Sequence, residues 1–377
     1  MKKIFSGEEI NKSRQIEFDL AKGFFVFNII FIHAFQVAGR GNGTKHPAYM
    51  LIYMATVLSG AAIFIFALGL GTVYKRTETP GGLVKRGIRL IIYQYLNNLA
   101  YVVSAVIPFL WLSLFGDSSE LKEEVLFHVR LFLPYINIFF LAGAIYLILA
   151  FLRRIKLPNY GYLILGLAIN IFTPSLVGIR TESAFLNLLL APLFGGAPYV
   201  SFCVSTYLPY ALLGVWFASI LKKVVDKDNF YRLLLIMSGI ILFIWFYIVS
   251  NKVEGLNEAF AYFAKGYIYP DFFRTIVNLA GVFITLGIFH FSRNIIAGIP
   301  SLDKQLKYQS EHISKYYAIH PTLFFLIYGF NGYQSLGLKG GILAFFVGLL
   351  YTDLLVKLYN KKKLITGRKE DEYRKEN

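Results

Sequence analysis

An all-α, polytopic integral membrane protein of about ten transmembrane helices, with both termini cytoplasmic, is the fold that this sequence predicts. Three observations carry that reading. Of 377 residues 56% are hydrophobic and only 16% charged, where a water-soluble domain carries about a quarter; mean hydropathy is +0.55. Apolar runs of ~20 residues recur along the chain, each able to cross a hydrocarbon core of roughly 30 Å. The basic residues alternate between connecting segments as the positive-inside rule requires.

The spans are expected near 18–38, 49–73, 90–115, 134–152, 160–178, 202–221, 230–250, 271–291, 313–330 and 339–359. Their flanks justify them in order. Lys2, Lys3, Lys12 and Arg14 precede the first, and Lys75, Arg76, Lys85, Arg86 and Arg89 separate the second from the third. Arg153, Arg154 and Lys156 follow the fourth; Lys222, Lys223, Lys227 and Arg232 follow the sixth. Arg293, Lys304, Lys307 and Lys315 follow the eighth, and eight more occur from Lys357 onward. Those segments hold 28 of the 38 basic residues, against nine in the alternate segments and Lys22 inside the first span. An odd span count would break the alternation. The net charge of +16 therefore reports topology and gives no reason to expect a nucleic-acid partner. Membrane lipids are the expected surroundings, in a cell membrane. The single cysteine, Cys203, excludes an internal disulfide.

Residues 1–360 read as one membrane domain and 361–377 as a charged cytoplasmic tail. Three stretches have more than one reading. Residues 126–133 either extend the fourth span or lie along the outer interface. Residues 185–195 are too short to cross and end in Pro192 and a Gly pair, which suits a re-entrant or interfacial turn. Residues 251–270 form an outer loop mixing Glu254 and Glu258 with Tyr262, Phe263, Tyr267 and Tyr269.

Ionisable groups inside spans are costly and mark candidate sites. In the first span Lys22 and His33 are eleven residues apart, ~1100° of helix, so both project from one face about 16 Å apart. Asp19, three residues before Lys22, can pair with it. At the start of the third span Arg86 and Arg89 share a face, and Gly87 between them admits a close backbone or ligand. Two guanidiniums there suit phosphates, which each can bind bidentately. The competing readings are bland: Lys22 snorkels to headgroups, His33 is a packing hydrogen bonder, and the arginines are topological flanks. His46, His128, His290 and His312 lie at loops or span ends, and no metal-ligand spacing, nucleophile elbow or phosphate-binding loop is present. No metal is expected.

Taken together, these residues resemble the type-three transmembrane acyltransferases, a family related to heparan-α-glucosaminide N-acetyltransferase. The resemblance lies in Arg14-Gln-Ile-Glu-Phe-Asp19-Leu-Ala-Lys22-Gly23 with His33 after ten residues, and in Arg86-Gly-Ile-Arg89. It also lies in Tyr317-Ala-Ile-His320-Pro321, the Gly-rich second span from Gly60 to Gly71, and Leu141-Ala-Gly-Ala-Ile-Tyr146. The chain departs from the pattern at Asn137, where the related branch has an acid, and at Ser314, one residue out of register.

The resemblance implies transfer of an acetyl group from cytoplasmic acetyl-CoA to a hydroxyl or amine of an extracytoplasmic carbohydrate, O-transfer being preferred. Lys22, Arg86 and Arg89 would hold the CoA phosphates. His33 would be the catalytic base or the acyl acceptor, with Asp19, Tyr317 and His320 in support. A transporter or flippase is the alternative, suited by buried Asn97, Asn98 and Asn137 but lacking an inverted repeat. A non-catalytic assembly subunit is a third reading, in which His33 would be replaceable.

Overall fold

The computed structural model describes residues 4–39, 46–75, 79–114, 121–253, 270–331 and 337–376, together with Glu258 and Tyr262. Thirteen helices fill them: α1 (Ile16–Val37), α2 (Pro47–Tyr74), α3 (Pro80–Ser113), α4 (Leu121–Phe132), α5 (Ile138–Arg154), α6 (Asn159–Leu176), α7 (Ala184–Phe194), α8 (Val204–Leu221), α9 (Lys227–Ser250), α10 (Phe272–Ala297), α11 (Pro300–Glu311), α12 (Ile313–Asn331) and α13 (Gly337–Glu376). No strand occurs among the described residues. Among the described residues, seven helices are long and apolar enough to cross a membrane: α1, α2, α3, α8, α9, α10 and α13. The fold is that of a polytopic membrane protein, because in lipid each such helix satisfies its own backbone. The remaining expected spans fall on α5, α6 and α12, which are not among the seven.

Two of the three stretches with several readings are helical. Residues 126–132 belong to α4, and Pro134, which cannot continue a helix, separates them from α5. Asn137 caps α5, its side chain accepting from the Phe139 N–H at 2.9 Å. Gln94 Oε1 accepts from the Asn137 N–H at 3.4 Å, so α3 also holds that start. Residues 184–194 form α7, an eleven-residue helix, ended by Gly195 at a positive φ of 75°. The third expected span begins ten residues earlier than its apolar run. Pro80 occupies the first turn of α3 and the Thr79 hydroxyl accepts from the Gly82 N–H at 3.1 Å. Arg86 and Arg89 therefore stand inside a helix rather than in a flanking loop. At the other end, the backbone helix of α13 runs on to Glu376, so the expected tail continues the last helix.

The chain divides into two compact units, the first comprising residues 1–22, 53–99 and 130–303, the second 23–52, 100–129 and 304–377. In the first, α8 is the central helix, buried along nearly its whole length. A methyl at Gly69 would lie 1.9 Å from the Ala211 carbonyl oxygen, and one at Gly214 2.1 Å from that of Phe66. Only glycine permits α2 and α8 to pack backbone to backbone in this way. The N-terminal segment is strapped to the α8–α9 turn. Ser6 N–H donates to the Lys223 carbonyl at 2.8 Å, Ile10 N–H to that of Lys222 at 2.7 Å, and Val225 N–H to that of Ile4 at 2.8 Å. The strap fixes both segments at one end of this unit.

In the second unit Val26, Ile30 and Ala34 form an i, i+4 stripe along α1, continued by Ala38 just past its end. They pack with Tyr316 and Phe324 of α12 and Ala344 and Val356 of α13.

Candidate functional site

The expected Asp19–Lys22 pair forms, with Lys22 Nζ 3.1 Å from Asp19 Oδ1, and Arg14 reaches the other oxygen of the same carboxylate. One residue of the surrounding segment carries a role that helical spacing alone does not reveal. Glu17 is buried, and its Oε1 accepts from Lys227 Nζ at 2.7 Å and from the Tyr231 hydroxyl at 2.8 Å. His290 stacks on Tyr231 with ring centroids 4.3 Å apart, and its Nε2 is 2.7 Å from Asp228 Oδ1. This cluster ties the starts of α1 and α9 to the far end of α10. The signal in the sequence was an acid at the threshold of an apolar run, overshadowed by Asp19 two residues on.

The two arginines behave differently. Arg86 is partly buried, with its guanidinium carbon 5.7 Å from the centre of the Tyr146 ring of α5, whereas Arg89 is exposed. Gly87 faces a backbone rather than open space: a methyl there would lie 2.7 Å from the Gly143 carbonyl oxygen. The Leu141–Tyr146 segment thus supplies both the glycine that α3 packs on and the ring that Arg86 covers. Asn98 Nδ2 donates to the carbonyls of Leu133 at 3.0 Å and Tyr135 at 2.7 Å. Asn98 thus holds the α4–α5 turn and Asn137 caps α5, while the Nδ2 of Asn97 is buried with no hydrogen-bond partner among the described residues.

The second unit holds the histidine pair. His33, partly buried on α1, has its ring centroid 5.2 Å from that of His320 on α12, the planes tilted by 44°. His320 is sealed at 1% exposure. Its Nδ1 lies 2.8 Å from the Tyr316 carbonyl oxygen, which can only accept, so Nδ1 carries the proton and Nε2 is left with a lone pair. That Nε2 is buried and has no hydrogen-bond partner among the described residues. Pro321, next in the chain, has no N–H to give the Tyr317 carbonyl. Tyr317 stands edge-on to His320, centroids 5.6 Å apart at 89°.

Behind the pair lies a carboxylate that no sequence motif singles out. Asp353 Oδ1 accepts from the Tyr316 hydroxyl at 2.5 Å and from Gln305 Nε2 at 2.9 Å, and Oδ2 lies 2.5 Å from Lys357 Nζ. Tyr316 therefore touches both His320, through its carbonyl, and Asp353, through its phenol. An acid within the last apolar helix, four residues before a lysine, was the available signal.

Of the expected site residues, His33, Tyr317 and His320 meet in the second unit, while Asp19, Lys22, Arg86 and Arg89 belong to the first. In the 251–270 loop Glu254, Phe263, Tyr267 and Tyr269 lie outside the described residues. Comparisons of the chain with protein-family models, with characterised proteins and with solved structures give no match.

Proposed function

We propose that the protein is a membrane-embedded acyltransferase that moves an acetyl group from cytoplasmic acetyl-CoA to a hydroxyl of an extracytoplasmic carbohydrate. The observation that carries this reading is the pairing of His33 with a sealed His320 whose Nε2 has no hydrogen-bond partner among the described residues. An uncompensated buried nitrogen costs about 1–3 kcal/mol, a cost more readily understood at a reactive site than in plain packing. The proposal extends to ten spans, α5, α6 and α12 included, with both termini cytoplasmic. The strap between the N-terminal segment and the α8–α9 turn supports it, since both are on the basic side of the chain.

His33, the more accessible of the two imidazoles, is the base in this reading. Its lone pair takes the proton of the acceptor hydroxyl as that oxygen attacks the thioester carbonyl. The C–S bond then breaks, the thiolate takes the proton from the imidazolium, and CoA leaves as the free thiol. His320 stands behind His33 and fixes its ring. Lys22, Arg86 and Arg89 supply the cationic groups for the CoA phosphates, with Lys22 on the same helix as His33 and about 16 Å from it along the axis. Asp19, by pairing with Lys22, fixes that side chain.

The test is sidedness in sealed vesicles of known orientation. Acetyl-CoA is expected to support transfer only from the cytoplasmic face, with acetylated glycan appearing on the other. Acetyl-CoA left intact while a glycan precursor crosses would establish the transporter instead.

A further inference from the structure

Among the described residues of the second unit, the buried side-chain atoms with no hydrogen-bond partner are Asn28 Nδ2, His320 Nε2, and both Nε2 and Oε1 of Gln309. Gln309 is the most unusual of these. It is 0% exposed, and neither the donor nor the acceptor of its amide is used. Burying a whole amide without partners costs several kcal/mol in an apolar setting. Its neighbours on α11 have their polar groups satisfied: Gln305 bonds to Asp353 at 2.9 Å, and the Tyr308 hydroxyl accepts from Asn360 at 2.7 Å.

The place of Gln309 in the fold gives its unused amide a meaning. A methyl at Gly23 would lie 2.2 Å from the Leu306 carbonyl oxygen, so α1 and α11 meet backbone to backbone there. Gln309 is one turn along α11 from Leu306. Gly23 adjoins Lys22 in the chain and is ten residues, about 15 Å, from His33 along α1. Gly23 also shares a face of α1 with Ile30, about 20° apart, whereas Asn28 is about 160° around from Ile30 and lies off that face. The unused amide of Gln309 thus lies by one end of the interval whose other end is the histidine pair. A ligand stretched over that interval, with two amide groups short of its reactive end, would offer one atom a donor and the other an acceptor.

We propose that Gln309 reads the pantetheine arm of the acyl donor, its C=O accepting from the N–H of one of the arm's two secondary amides and its NH2 donating to the carbonyl of the other. This rests on the acyl-CoA reading above and names a group that would recognise the uncharged arm, as distinct from the phosphates. Recognition of this kind discriminates an amide from an ester or an alkyl chain, because the ligand lacking the N–H leaves the Gln309 oxygen unfilled.

The test measures dissociation constants by calorimetry for purified wild-type, Gln309→Leu and Gln309→Met proteins. The ligands are acetyl-CoA and adenosine 3′,5′-bisphosphate, which has the nucleotide but no pantetheine. Both variants are expected to bind acetyl-CoA about tenfold more weakly, the equivalent of one or two hydrogen bonds, and the bisphosphate as well as wild type does. A wild-type measurement needs no variant to fold: acetyl-CoA analogues with either pantetheine amide replaced by an ester should lose affinity about fivefold for one of the two amides. Acetyl-CoA affinity unchanged in a folded variant, or equal wild-type affinity for both ester analogues, would overturn the role of Gln309 and leave the donor reading standing. Wild-type protein that binds no acetyl-CoA would overturn both.

Discussion

The imidazole of His33 lies 5.2 Å from that of His320, and only the second of the two is sealed from every side. The asymmetry divides their roles. His320→Ala is expected to lower the turnover rate about tenfold, by removing the ring packed against His33 and loosening its orientation, without changing acetyl-CoA affinity. A loss as deep as that of His33→Ala would make His320 a second base, and an unchanged rate would make it a packing residue.

Asp353 joins three helices through Gln305, Tyr316 and Lys357. Asp353→Ala leaves those three donors without their acceptor and is expected to destabilise the protein by about 3 kcal/mol. Asp353→Asn, which keeps an acceptor for Tyr316, is expected to lose less. Thermal unfolding in detergent checks the order; equal losses would show that the charge, not the hydrogen bonding, matters.

Gly69 and Gly71 offer a matched comparison two residues apart. A methyl at Gly69 would meet the Ala211 backbone at 1.9 Å, while one at Gly71 has nothing within 4 Å. Gly69→Ala is expected to prevent assembly of α2 with α8 or to cost more than about 3 kcal/mol, and Gly71→Ala to be neutral or slightly stabilising. Yield and melting temperature of the two variants read this directly, and equal behaviour would contradict the packing described.

Arg86→Ala and Arg89→Ala are expected to weaken acetyl-CoA binding, by about 1.5–3 kcal/mol for each guanidinium–phosphate pairing removed. Arg89, being exposed, should fall at the lower end and show the stronger salt dependence. Unchanged affinity in the double variant would assign both arginines to topology alone.

The parts of this fold legible from sequence were those governed by the length of an apolar run. Each expected span falls on a helix, because in lipid a continuous apolar segment has little choice of structure. Helix starts were less legible. α3 begins at Pro80 rather than near 90 because a Thr-Pro cap and not hydropathy sets it. The site shows the same division. The Asp19–Lys22 pair follows from helical spacing within one element. The joining of His33 to His320, and of Tyr316 to Asp353, links residues distant in the chain, which no local period encodes. Gln309 was invisible for a further reason, since a glutamine in a polar helix attracts notice only once its surroundings fail to satisfy it.

The central claim is that His33 takes a proton during transfer of an acetyl group, and it is tested by one comparison. Purified wild-type and His33→Ala proteins are supplied with acetyl-CoA and a cell-envelope glycan extract, and release of free CoA is followed together with acetate on the glycan. Wild type is expected to produce both in equal amounts. His33→Ala is expected to be at least about 10²-fold slower, with its melting temperature and acetyl-CoA affinity close to wild type. A folded His33→Ala protein that binds acetyl-CoA and transfers acetate at the wild-type rate would contradict the account.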